Sequence, residues 1–216
     1  MNYKYDDFEV VYCESDMEYI DNFCSYFIQN KELILNFFGL NRLSKELKIV
    51  FYDDIEKYSE IRNNNISETS VGNMDFDDNY YYINILSYKE FVKRKGHEKN
   101  NLDYLFKTIL HEFVHICHEE IGTYSDSFIW LKEGVAIVLS KQYDGLDYKI
   151  DNCTIDDLLN NKRTWYINYY SLVKYAFDKY GSNYVKELIR SIDFQKSEIH
   201  KLYYELLEVL ECTNWD

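Results

Sequence analysis

Leu102-Asp-Tyr-Leu-Phe-Lys-Thr-Ile-Leu-His111-Glu112-Phe-Val-His115-Ile-Cys117-His118-Glu-Glu120 decides how this chain is read. With His111 taken as zero and about 100° per residue, Leu102, Leu105, Ile109, Phe113, Ile116 and Cys117 fall at roughly 120–240°, and Tyr104, Thr108, His111, His115 and His118 fall within about 60° of zero. The spacing predicts one amphipathic helix with an apolar stripe for the core and a polar stripe carrying three of the five histidines. His111, Glu112 and His115 form the pattern His-Glu-x-x-His. Histidines four apart on a helix differ by about 40° in azimuth and about 6 Å in height, so both rings lean to one side and can share one zinc ion. His118, one turn further on, is expected to line the cleft or to support the ligands from behind.

A catalytic zinc takes three protein ligands and keeps a fourth position for water. The third donor is expected from Trp130-Leu-Lys132-Glu133-Gly134-Val-Ala136. Residues 128–139 are mostly apolar around the whole helix, so the segment should be buried, and Glu133 would be a costly carboxylate there unless a cation faces it. Zinc is one such cation, and the adjacent Lys132 or another cation is the alternative. Cys117 lies on the core stripe and points away from the histidines.

The composition narrows the function classes. The 216 residues are 46% hydrophobic and 18% aromatic, too rich in burial material for a disordered linker. A net charge of -14 repels a phosphate backbone or an anionic membrane, so neither nucleic acid nor membrane is expected as a partner. It favours basic or neutral substrates. The N-terminus carries no apolar signal-like run and no stretch is long enough to span a bilayer, which leads to the expectation of a soluble, cytoplasmic protein. Five scattered cysteines without a Cys-x-x-Cys pair read as free thiols, mostly buried.

Proline is absent and glycine is rare, so boundaries rest on glycines and on Asn, Asp, Ser and Thr. Residues 8–13 and 47–52 read as strands flanking a helix from Asp16 to Phe38 that Gly39 closes, a β-α-β opening. Residues 80–85 read as another strand, reached through a turn-rich segment from Asn63 to Asn79. From Asn101 onward the pattern is helical, about five helices with caps at Asp126, Thr154, Ser182 and Ser197. The fold class expected is α+β, a small mixed α/β sheet subdomain (residues 1–95) followed by a helical subdomain (residues 96–216), with the active site in the cleft between them.

His111-Glu112-x-x-His115, followed 18 residues later by Glu133 inside Trp-Leu-x-Glu-Gly-x-Ala, resembles the paired motifs of the gluzincin zinc metallopeptidases, the thermolysin and aminopeptidase-N type group called peptidase MA-like. The segment from Tyr166 to Gly181 is similar to that group's next helix, which a transition-state tyrosine opens and a glycine ends. The resemblance implies a zincin-like fold and one zinc ion per chain on His111, His115 and Glu133. It implies peptide or protein substrates, Glu112 as general base toward a zinc-activated water, and Tyr166 as donor to the oxyanion, with Tyr169 and Tyr170 as rivals and His118 as a further donor. The chain departs from thermolysin-like members at Ile137, where they carry an Asp that orients a zinc histidine; Asp103 and Asp126 are the substitutes on offer. Gly72-Asn73-Met74-Asp75-Phe76 is a shortened echo of the aminopeptidase substrate motif, far upstream, and is set aside as coincidence. The strand at residues 80–85 is expected to take an extended peptide by edge pairing. The alternative is a non-catalytic interaction or regulatory module that keeps the fold.

Overall fold

The computed structural model describes residues 1–5, 7–162 and 164–213, and among these the chain is mixed α/β, with one five-stranded sheet and eight α-helices. The strands are β1 (Asn2–Lys4), β2 (Phe8–Val11), β3 (Glu46–Tyr52), β4 (Gly72–Phe76) and β5 (Tyr80–Leu86), in the order β1-β2-β3-β5-β4. The central strands β2, β3 and β5 are parallel, and β1 and β4 flank them antiparallel. α1 (Ile20–Phe38) makes the crossover from β2 to β3, so the expected β-α-β opening is present. Gly39, at φ 75°, ends that helix, and Leu40 N donates to Leu35 O.

Side chains alternate across a strand, so the register sorts them into faces. Leu47, Ile49 and Phe51 pair with Tyr81, Ile83 and Ile85, and all six are buried. α1 covers this face through Phe23, 5.5 Å from the Phe51 ring, and Phe27, 5.1 Å from Phe8. Phe27 also meets Phe113 of α4 (Leu102–Glu120) at 5.2 Å. The apolar stripe predicted for α4 is buried from Leu105 to Cys117. At the carboxyl ends of the parallel strands the wholly buried Asp16 accepts hydrogen bonds from Cys13 N, Ser87 Oγ and Tyr19 Oη, stitching β2, β5 and the start of α1 together.

Two expectations fail in this part of the chain. β4 forms inside the segment read as turn, and β5 has neighbours on both sides, β3 and β4, so its backbone groups are already spent and it cannot bind a peptide by edge pairing. Among the described residues the sheet edges are β1 and β4.

The remaining helices are α2 (Ile55–Ile61), α3 (Tyr88–Phe91), α5 (Ile129–Ser140), α6 (Ile155–Leu159), α7 (Tyr166–Arg190) and α8 (Ile192–Thr213). Thr154 caps α6 with a capping box as expected, whereas α5 starts after Phe128 rather than at Asp126, and Ser197 lies within α8 with its hydroxyl on Phe194 O. Gly181 (φ 80°, ψ 174°) interrupts α7 where the sequence places a helix end. The chain divides into two compact units, Met1–Asn36 with Leu40–Ile116, and Phe37–Gly39 with the chain from Cys117 onward. No helix among the described residues is long and apolar enough to cross a membrane.

In the second unit α5 and α7 approach at backbone distance. A β-carbon on Gly134 would lie 2.5 Å from both Tyr169 O and Val173 Cγ2, so only glycine lets the helices meet there. Gly134→Ala is expected to destabilise the protein by about 1–3 kcal/mol through overpacking, lowering the melting temperature by about 2–4 °C for each kcal/mol in a calorimetric scan.

Candidate metal centre

α4 carries His111 and His115 one turn apart, both buried. Their rings stand at 87° with centroids 4.6 Å apart, and their Nε2 atoms are 3.0 Å from each other. At that distance two lone pairs repel and two N–H groups clash. Either one neutral ring donates to the other, or one cation takes both lone pairs. The half-buried Glu133 of α5 weighs on that choice, because one ligand atom from each of His111, His115 and Glu133 lies within 4.8 Å of the others. A carboxylate beside two imidazole nitrogens is best balanced by a cation shared by all three. The donor set fits zinc: two Zn–N bonds of about 2.0–2.1 Å at a tetrahedral angle put the nitrogens about 3.3 Å apart.

Lys132, the other cation the sequence offers to Glu133, has its Nζ 4.4 Å from the centre of the Tyr124 ring. Burial pulls its ammonium below the ordinary lysine range, while Glu133 and Glu119 oppose that shift. Cys117 is wholly buried, and burial holds its thiol well above the usual range, as suits a core residue rather than a ligand.

Glu112 lies against the edge of the sheet. A β-carbon on Gly72 would fall 3.7 Å from Glu112 Cγ and 2.8 Å from Ile85 Cδ1, so the glycine at the start of β4 leaves that strand's backbone beside the carboxylate. The Gly-Asn-Met-Asp echo set aside in the sequence is therefore the edge strand next to Glu112. Its signal was the glycine, and an isolated glycine in a turn-rich segment gave no reason to prefer a strand. Tyr58 of α2, wholly buried, also feels Glu112: burial pushes its hydroxyl up, Glu112 adds to this, and Arg62 and Arg94 oppose it.

His118 takes a different place from the one expected. It is wholly buried, its Nε2 is 3.3 Å from Ser127 Oγ, and its ring packs on Phe38 and Tyr124, so it lines no cleft. Ser127 Oγ donates to Thr123 O and accepts from Gln195 Nε2, and Gln195 Oε1 accepts from Phe128 N at the start of α5. The group is a buried brace.

Tyr166 opens α7 and is 49% exposed, whereas Tyr169 and Tyr170 are buried. Tyr169 Oη accepts from Thr164 N and donates to Lys162 O, and Tyr170 Oη donates to Leu146 O. Of the carboxylates offered to orient a ligand, Asp103 is exposed and paired with Lys107 at 2.8 Å, and Asp126 is exposed, so neither suits the task. Ile137 is buried in the core.

No family model, curated protein or solved structure matches the chain.

Ser127→Ala takes a partner from both Gln195 and His118 and is expected to cost about 1–3 kcal/mol of stability while leaving metal content unchanged. Thermal melting together with elemental analysis checks both halves, and loss of metal in that variant would return His118 to the centre.

Proposed function

We propose that this chain is a zinc metallopeptidase of zincin-like fold that hydrolyses peptide bonds with Glu112 as general base. The observation that carries the reading is the grouping of His111, His115 and Glu133 ligand atoms within 4.8 Å of one another. Among the described residues the group has three donors, the number in a catalytic zinc site, where structural sites carry four.

Zinc held by these three would supply Lewis acidity at the scissile carbonyl and lower the pKa of a water toward about 7. Glu112 accepts the proton of the attacking water and returns it to the leaving amine. Tyr166 donates a hydrogen bond to the carbonyl oxygen as charge builds on it. The free edge of β4 takes the extended substrate by strand pairing, which the closeness of Gly72 to Glu112 supports, so the role expected of β5 passes to its neighbour. The absence of disulfides among the five cysteines supports a reducing compartment, the cytoplasm.

Elemental analysis of the purified protein is expected to find about one zinc per chain. Glu112→Gln keeps the metal and loses hydrolysis of an unstructured protein by about two to four orders of magnitude. His115→Ala loses both. Full activity in Glu112→Gln removes Glu112 from its role, and a zinc-loaded wild type that cleaves nothing favours the interaction module. N-methylation of alternate backbone amides in a peptide substrate should lower kcat/KM if the β4 edge pairs with it. Equal rates for the methylated and unmodified peptides would exclude that edge.

A further inference from the structure

β4 is the sheet edge beside Glu112, and its pairing with β5 fixes which of its backbone groups face outward. Leu86 N donates to Val71 O and Asp77 N donates to Tyr80 O, at the two ends of a register that sets Gly72 opposite Ile85 and Phe76 opposite Tyr81. Bonded residues alternate along an antiparallel pair. Val71, Asn73, Asp75 and Asp77 therefore turn their backbone groups toward β5, and Gly72, Met74 and Phe76 turn theirs to the open side. Glu112 belongs to the same unit as both strands, and a β-carbon on Gly72 would fall 3.7 Å from its Cγ, so the open groups begin next to the proposed general base.

The open stretch is short. Phe76 N–H, about 13 Å further along the strand than Gly72, is already spent, because Asp75 Oδ1 accepts from it at 2.8 Å. A backbone N–H has one proton to give, so that bond ends the run of donors. Asn73 Nδ2 donates to Met74 O at 3.1 Å and takes one of its two lone pairs, leaving the other for a substrate. Ahead of the strand, Ser70 N donates to Ser67 O and the chain turns away. What remains for pairing is the N–H and C=O of Gly72 and of Met74. Side chains that cap a strand edge limit what can be added to it. We propose that β4 reads only a short extended segment of substrate, with one peptide N–H on Gly72 O and one on Met74 O, and that the Asp75 side chain sets the limit at the Phe76 end. The proposal rests on the metallopeptidase reading and gives it a substrate class: peptides recognised through a brief run of backbone, to which a longer strand adds nothing.

The test uses the full-length, zinc-loaded Glu112→Gln protein, in which binding is separated from turnover. The probe is the peptide acetyl-Lys-Ala-Val-Tyr-Thr-Ser-Ala-amide, with copies N-methylated at one amide each and a copy lengthened by Ala-Ala at both ends. Binding is followed through the methyl resonance of Met74, one of three methionines, assigned with Met74→Leu. Two of the methylated copies, with their methyl groups two residues apart, are expected to bind about fivefold weaker than the parent, and lengthening is expected to change affinity by less than about twofold. Asp75→Ala added to this protein frees Phe76 N–H and should let the lengthened peptide bind about three- to tenfold tighter than the parent, with an unchanged melting temperature. Asp75→Asn, which loses the charge and keeps an acceptor oxygen, should retain the limit. A Met74 resonance that no peptide moves, no sensitive amide or more than two, a gain on lengthening with Asp75 intact, or no gain in Asp75→Ala would each overturn the short edge. So would Asp75→Asn behaving like Asp75→Ala, because charge rather than the hydrogen bond would then set the limit. Hydrolysis by the wild type is scored separately. The two-amide pattern without any hydrolysis sinks the peptidase reading and leaves a peptide-binding edge, whereas hydrolysis without the pattern sinks the short edge alone.

Discussion

Two imidazole nitrogens 3.0 Å apart in a buried place must share something, a proton or a cation, and the arrangement around His111 and His115 follows from that demand. One helical turn supplies the spacing. The apolar stripe from Leu105 to Cys117, packed through Phe113 against Phe27, keeps the turn rigid so that the rings do not drift apart. With one ligand atom each from His111, His115 and Glu133 within 4.8 Å of one another, the group has the donor number and types of a zinc site.

The second unit contributes by stiffness. Gly134 lets α5 lie against the backbone of α7 at Tyr169, which fixes the residue next to Glu133. Asn161 caps the first turn of α5, and the Tyr169 hydroxyl ties down the segment that leads into α7. His118, Ser127 and Gln195 brace the start of α5 from the other side. Glu133 and Tyr166 are thus carried on elements whose ends are hydrogen-bonded to the fold, an arrangement that holds their backbone in place.

The first unit manages without proline. Its turns rely on glycine and on asparagine in the left-handed region, as at Asn63 and Asn64, and its parallel strands are locked at one end by the buried Asp16. The sheet ends on one side in β4, whose glycine gives Glu112 room.

Much of this was legible in the residues, because it depends on neighbours a few positions apart. The period of the α4 stripe, the four-residue spacing of His111 and His115, the β-α-β opening closed by Gly39 and the Thr154 cap are all local, and local geometry follows from backbone sterics and side-chain type. What depends on partners distant in sequence was not legible. That β5 lies inside the sheet and β4 at its edge is decided by strand pairing, which no single strand announces. His118 and His115 look alike on the helical wheel, yet one faces Ser127 and the other Glu133, since tertiary packing assigns each side of a helix its neighbours. The same holds for Tyr166, Tyr169 and Tyr170: adjacent tyrosines of identical chemistry differ in the fold, where Tyr169 and Tyr170 are buried and hydrogen-bonded to the backbone and Tyr166 is 49% exposed.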